Sequence, residues 1–350
     1  MNKGRGAETA CIIIAFLIVL AVCKVAQTVI EPAAFAIFII TIVLPVKNAL
    51  RPRIGNGAAI SITLVATALV LLALLSVIAW EAREIVDWVN RNIDRIQDSL
   101  VASTSWLEAH DIFVLTMITD QFDPATIVRI LQVAAMKVNT LLAFALIVMI
   151  YVVLGLNEAG VIRGRIAALK NEEASSHLLA ASEQIGHKFR TYIVVRTGAS
   201  IATGLSVWLL ARLIGLEMAG ACGMLAFSLN YLPYIGSFIV TVLLPLFALV
   251  HFGSMESAAL VLVGMLFIQA VIGSYLEPVF SGEALSISPP LVLFSIVLWT
   301  FLWGALGAFL GVPIAIAFIT LLAEFPSTRS IADILSGGRI EAKAYEIQRH

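Results

Sequence analysis

Uncharged apolar runs of membrane-spanning length constrain this chain more than any other feature. AAISITLVATALVLLALLSVIAW, residues 58–80, holds no charged side chain. About 20 helical residues, rising 1.5 Å each, cross a hydrocarbon core of roughly 30 Å. Several such runs recur without the alternating polarity of a barrel strand, so the fold is an all-α integral membrane protein. Only 13% of the residues are charged, about half the usual soluble share of roughly 25%.

Hydrophobic windows predict about eight transmembrane helices, near 10–29, 32–50, 57–80, 139–156, 192–214, 219–250, 256–276 and 290–323. Lys3 and Arg5 precede the first, and Lys47, Arg51 and Arg53 lie between the second and third. By the positive-inside rule both places are cytoplasmic, which puts both termini inside after eight crossings. The resulting division is 1–80, three helices; 81–138, an extracytoplasmic helical insert; 139–191, the fourth helix and a cytoplasmic amphipathic linker; 192–325, four helices with the transport pathway; and 326–350, a cytoplasmic tail. Ile85, Val89, Ile93, Ile96 and Leu100 form an amphipathic stripe at the start of the insert. Asp123 before Pro124 is an expected N-cap for a helix running through Leu156. A second amphipathic stretch, Gly164–Arg190, reads as a helix covering the base of the bundle.

Two interruptions carry the polar chemistry. FSLNYLPYIGSF, residues 227–238, places Asn230, Tyr231, Pro233, Tyr234 and Gly236 inside an apolar tract. Pro233 breaks the helical ladder, Gly236 permits close approach, and the polar side chains can serve the freed backbone groups or a solute. Irregular backbone at membrane depth survives only where protein or water satisfies it, as in the discontinuous helices of transporters. A tight turn outside the membrane is the alternative. Glu277 before Pro278 is the second interruption, in a stretch from Arg212 to Arg329 with no Lys or Arg between them. It reads either as a hydrated interfacial carboxylate or as a titratable site for a proton or monovalent cation. Neighbouring Val279 offers it no charge. Gly304, Gly307 and Gly311 read as small residues for close helix packing, as do Ser200 and Gly204 on a face shared with Tyr192 and Arg196. Arg196 reads chiefly as a snorkelling anchor.

Other function classes lose ground. The net charge of −1 suggests no nucleic acid partner, and three cysteines in apolar runs make no disulfide or metal pattern. Neither HExxH, GxSxG, a P-loop nor a dinucleotide-binding glycine pattern occurs, so no enzyme, catalytic residue, metal or cofactor is expected.

YIVVRTGASIATG (192–204), LAFSLNYLPYIGS (225–237), SYLEP (274–278) and GALGAFLGVP (304–313) occur in the order and at the spacing of one family. On these motifs the chain resembles the autoinducer-2 exporter (AI-2E) family. The resemblance implies a multi-pass protein of the bacterial cytoplasmic membrane, assembled among lipid as a homo-oligomer, a pentamer, and exporting autoinducer-2, a small neutral polar signal. Some relatives resemble sodium/proton antiporters. The expected function is export of a small polar solute. A monovalent cation/proton antiporter using Glu277 is the alternative, and a non-transporting oligomeric scaffold the reading from another class.

Overall fold

The computed structural model describes residues 3–99, 124–277, 279 and 287–336, with the backbone alone at 3–10, 12, 13, 16 and 124–139. Leu100, Asp123 and Pro278 lie outside the described residues. Among the described residues the regular structure is helical throughout. The elements are α1 (Lys3–Val25), α2 (Gln27–Ile54), α3 (Asn56–Arg91), α4 (Pro124–Ala167), α5 (Glu172–Leu213), α6 (Ala219–Leu229), α7 (Ile235–Phe252), α8 (Met255–Val271), α9 (Pro289–Glu324) and α10 (Arg329–Ser336). Seven helices among the described residues are long and apolar enough to cross a membrane. They match the second to eighth windows, and the first window falls on α1. The protein is an all-α, multi-pass integral membrane protein.

Local chemistry explains most boundaries. Pro32, Pro45 and Pro52 lie within α2 without ending it, as membrane helices allow when neighbouring groups take up the freed carbonyls. Gly55, at φ 80°, terminates it. Buried Thr63 and Thr67 return their hydroxyls to the carbonyls of Ala59 and Thr63, each at 2.8 Å. The stretch 164–190 is not one amphipathic helix. It breaks after Ala167, and α5 restarts at Glu172 because the Asn171 Oδ1 accepts the Ala174 N–H at 3.0 Å, with Glu172 and Glu173 favouring the positive helix end. From there 42 residues run unbroken, so the linker and the fifth span share one rod.

The chain forms two compact units: residues 1–68, 144–192 and 283–350, and residues 69–143 and 193–282. In the first, Ala36 packs with Val148, Val152 and Leu156. Ile40 lies where a Cβ on Gly155 would stand, and Phe35 meets Phe144 at 5.3 Å.

The window 290–323 is not one straight span. Gly304, at φ 68° and ψ −145°, folds α9 into a hairpin of arms 289–303 and 305–324. Ser295 Oγ donates to the Gly311 carbonyl at 2.6 Å, although a straight helix would separate these residues by about 24 Å. A Cβ on Gly307 would stand 1.9 Å from the Trp299 carbonyl oxygen. Gly307 and Gly311 thus allow the arms to touch. Gly304 has open space around it and serves as the turn, not as a packing position. Lys24 Nζ donates to the carbonyls freed there, Phe301 at 3.0 Å and Leu302 at 2.8 Å.

In the second unit, Ile85, Trp88, Val89 and Ile96 join Val207, Cys222, Leu244 and Met265 in one core. Trp88 meets Phe247 at 5.1 Å. The first part of the insert's predicted stripe is therefore built into this unit.

Candidate functional site

The polar side chains of the second unit converge where the sixth window breaks. α6 stops at Leu229 after 11 residues and α7 starts at Ile235. Between them Tyr234 takes φ 61° and ψ −49°, and the Ile235 N–H reaches the Pro233 carbonyl at 2.7 Å. This is a γ-turn, a strained geometry for a residue other than glycine. Gly236 is what permits it, since a Cβ there would lie 1.6 Å from the Leu229 carbonyl oxygen.

Asn230 sits at the break, 5% exposed. Its Nδ2 donates to Ser200 Oγ at 3.2 Å, and its Oδ1 accepts from Ser237 Oγ at 3.2 Å. Tyr231 Oη donates to Thr197 Oγ1 at 3.0 Å. One turn earlier, Ser228 Oγ donates to Glu81 Oε1 at 2.8 Å. α5 thus offers Arg196, Thr197 and Ser200 from one face, while α6 supplies Ser228, the break Asn230 and Tyr231, and α7 Ser237. Ser200 is a hydrogen-bond partner as well as a small residue. Gly204 lies farther along that face, where a Cβ would stand 2.9 Å from the Gly223 carbonyl oxygen. That crossing brings α5 against α6. Pro233 is buried, whereas Tyr234 is 57% exposed and stands apart from the cluster.

Glu277 is reached through a second irregularity. α8 widens into a π-helical turn, Ile272–Leu276, whose closing bond runs from the Glu277 N–H to the Ile272 carbonyl. Such turns occur often at functional sites. Val279 beside Glu277 is exposed. Glu277 has no cation near it in the chain, but the fold supplies one, because Arg196 Nη1 pairs with its Oε1 at 2.5 Å. Eighty-one positions separate the two, so no local pattern could reveal the pair. The signal was the Tyr192, Arg196, Ser200 face, which carries Arg196 inward instead of toward lipid headgroups. Arg196 is 4% exposed, and its Nε and Nη2 are buried without a hydrogen-bond partner. The pair leaves Arg196 with donors to spare. Glu81 and Ser228, both buried or partly buried here, were also missed.

Comparison with known proteins follows the same lines. The model of the AI-2E family transporter matches residues 12–327. The chain is 28% identical over 324 residues to the AI-2 transport protein TqsA of Escherichia coli, covering 91% of this chain and 93% of that protein. It is 27% identical over 335 residues to a Haemophilus influenzae protein whose name assigns it to transport without a substrate, covering 92% and 94%.

Proposed function

Because this chain belongs to the AI-2E family of transporters, we propose that it exports a small neutral polar solute, autoinducer-2 or a molecule of similar chemistry. The membrane is the bacterial cytoplasmic membrane, with both termini inside, and the working form is a homo-oligomer, a pentamer by family resemblance, in lipid. Arg196 carries this reading. It is a buried guanidinium beside a helix break, with one nitrogen on Glu277 and two donors unspent. A solute's hydroxyl or carbonyl oxygens suit those donors, with Asn230 and Tyr231 adding groups that can switch partners. The name of the Escherichia coli relative supports autoinducer-2 as the solute to try first.

A monovalent cation/proton antiporter titrating at Glu277 is less well supported, since Arg196 already neutralises that carboxylate. A non-transporting scaffold is disfavoured by family membership.

The test is efflux of autoinducer-2 from proteoliposomes containing the full-length protein. A charge-assisted hydrogen bond is worth about 1.5–3 kcal/mol, so Arg196→Gln should slow efflux at least about tenfold. Asn230→Leu should also slow it, while Ser176→Ala, at an exposed position near the start of α5, should not. Efflux unchanged in both site variants would overturn the proposed pathway.

A further inference from the structure

One carboxylate in the second unit lacks what Glu277 has. Glu81 is 3% exposed, and no basic side chain pairs with it among the described residues. Its recorded partner is the Ser228 hydroxyl at 2.8 Å, one turn before the helix break. Among the described residues, the other acidic, basic and thiol groups of this unit are placed elsewhere, with Arg91, Asp94, Arg95, Asp98, Arg212 and Glu256 all exposed. Arg196 is on Glu277 from α5 and α8, and His251 on α7 is 3.9 Å from Glu217. On α3 itself, Arg83 and Asp87 are exposed and Glu84 is half-buried. From α6 the Cys222 thiol lies in the apolar core. Ser228 also stands in the last turn of α6, the negative end of that helix's dipole.

An enclosed carboxylate facing a hydroxyl and a helix C-terminus needs a neutralising partner for as long as it stays enclosed. A metal cation requires several oxygen ligands at once, and among the described residues no group of three or more His, Cys, Asp or Glu is placed to hold one. A proton requires one oxygen.

We propose that Glu81 is the proton-carrying carboxylate of the transport cycle. It takes one proton from water on one side of the membrane when the break opens there, and returns it to water on the other. Ser228 links its occupancy to the segment bearing Asn230. The inference rests on the transport reading, and it relocates ion coupling from Glu277 to Glu81.

Two measurements on the full-length protein in proteoliposomes test it. Dicyclohexylcarbodiimide adds to protonated carboxyls in apolar surroundings, and peptide mass spectrometry should find the adduct on Glu81, decreasing as pH rises, and not on Glu277. In the flux arm, a gradient of one pH unit supports at most about tenfold accumulation of autoinducer-2 in one-for-one exchange. Glu81→Gln, which keeps an acceptor for Ser228, should abolish that accumulation. Glu81→Asp should restore part of it. Absence of the adduct at every pH would overturn the proposal, as would gradient-driven accumulation surviving in Glu81→Gln. Protection of Glu81 by sodium at constant pH would replace the proton with sodium and also overturn it. An adduct on Glu81 with no autoinducer-2 movement in the unaltered protein would leave the proton site standing and remove the proposed solute.

Discussion

At the scale of single residues, close backbone approach and charge pairing matter more than buried apolar area. Helices in lipid gain little from hiding apolar surface, because the surrounding chains are equally apolar. What distinguishes one arrangement is whether backbones can touch and whether polar groups find partners. Gly236 is the most sensitive example, with the Leu229 carbonyl oxygen 1.6 Å from the position of a Cβ. Gly236→Ala should destabilise the protein by about 1–3 kcal/mol or more, read as a lowered thermal midpoint of the purified full-length chain. Gly220→Ala, on α6 with nothing within 4 Å of its Cβ, should stay within about 0.5 kcal/mol. Equal midpoints for the two variants would refute the close approach. Asn230 and Gly236 were legible in the sequence as parts of an interruption. The partners of Asn230 were less so, because Ser200 lies thirty positions away.

At the scale of elements, apolar length located helices well and their internal turns poorly. WGALG reads as ordinary small-residue packing, since glycines at three- and four-residue spacing suit both a helix interface and a hairpin. Gly304 decides between them through its positive φ, which a composition-based reading cannot supply. Spin labels at Leu293 and Phe318, both exposed, test the hairpin. A continuous helix would hold them about 38 Å apart. Folded arms at normal interhelical spacing should bring them below about 20 Å, as measured by pulsed dipolar spectroscopy on protein lacking its three native cysteines. A distance near the longer value would remove the hairpin.

At the scale of the whole molecule, hairpins change how crossings are counted. Lys188 Nζ donates to Thr320 Oγ1 at 3.0 Å, Gln184 Nε2 donates to Glu324, and the Ser288 N–H points at the Leu335 carbonyl at 3.4 Å. The C-terminal end of α9 therefore lies beside the segment read as the cytoplasmic linker and its N-terminal end beside α10, which follows that C-terminal end, so α9 returns to its starting side. Helix α6, about 16 Å long, is too short to cross alone. We predict six full crossings, α1–α5 and α8, with α6–α7 and α9 as returning hairpins. The parity remains even, and reporter fusions should find the tail following Ser336 and the α1 start on the cytoplasmic side. They should also place the α5–α6 and α7–α8 junctions together on the opposite side. A cytoplasmic α7–α8 junction would exclude this count.

The amino-acid sequence alone determined the membrane environment, the helical class and the positions of both polar interruptions. Each depends on chain-local quantities: apolar length against bilayer thickness, and the helix-breaking chemistry of proline and glycine. Tertiary structure decided which polar groups meet, giving Glu277 its Arg196, Asn230 its Ser200 and Glu81 its Ser228. It also decided that α9 turns back on itself. Those outcomes depend on separations of a few ångströms between residues distant in the chain, and on the sign of one backbone angle, neither of which a local pattern encodes.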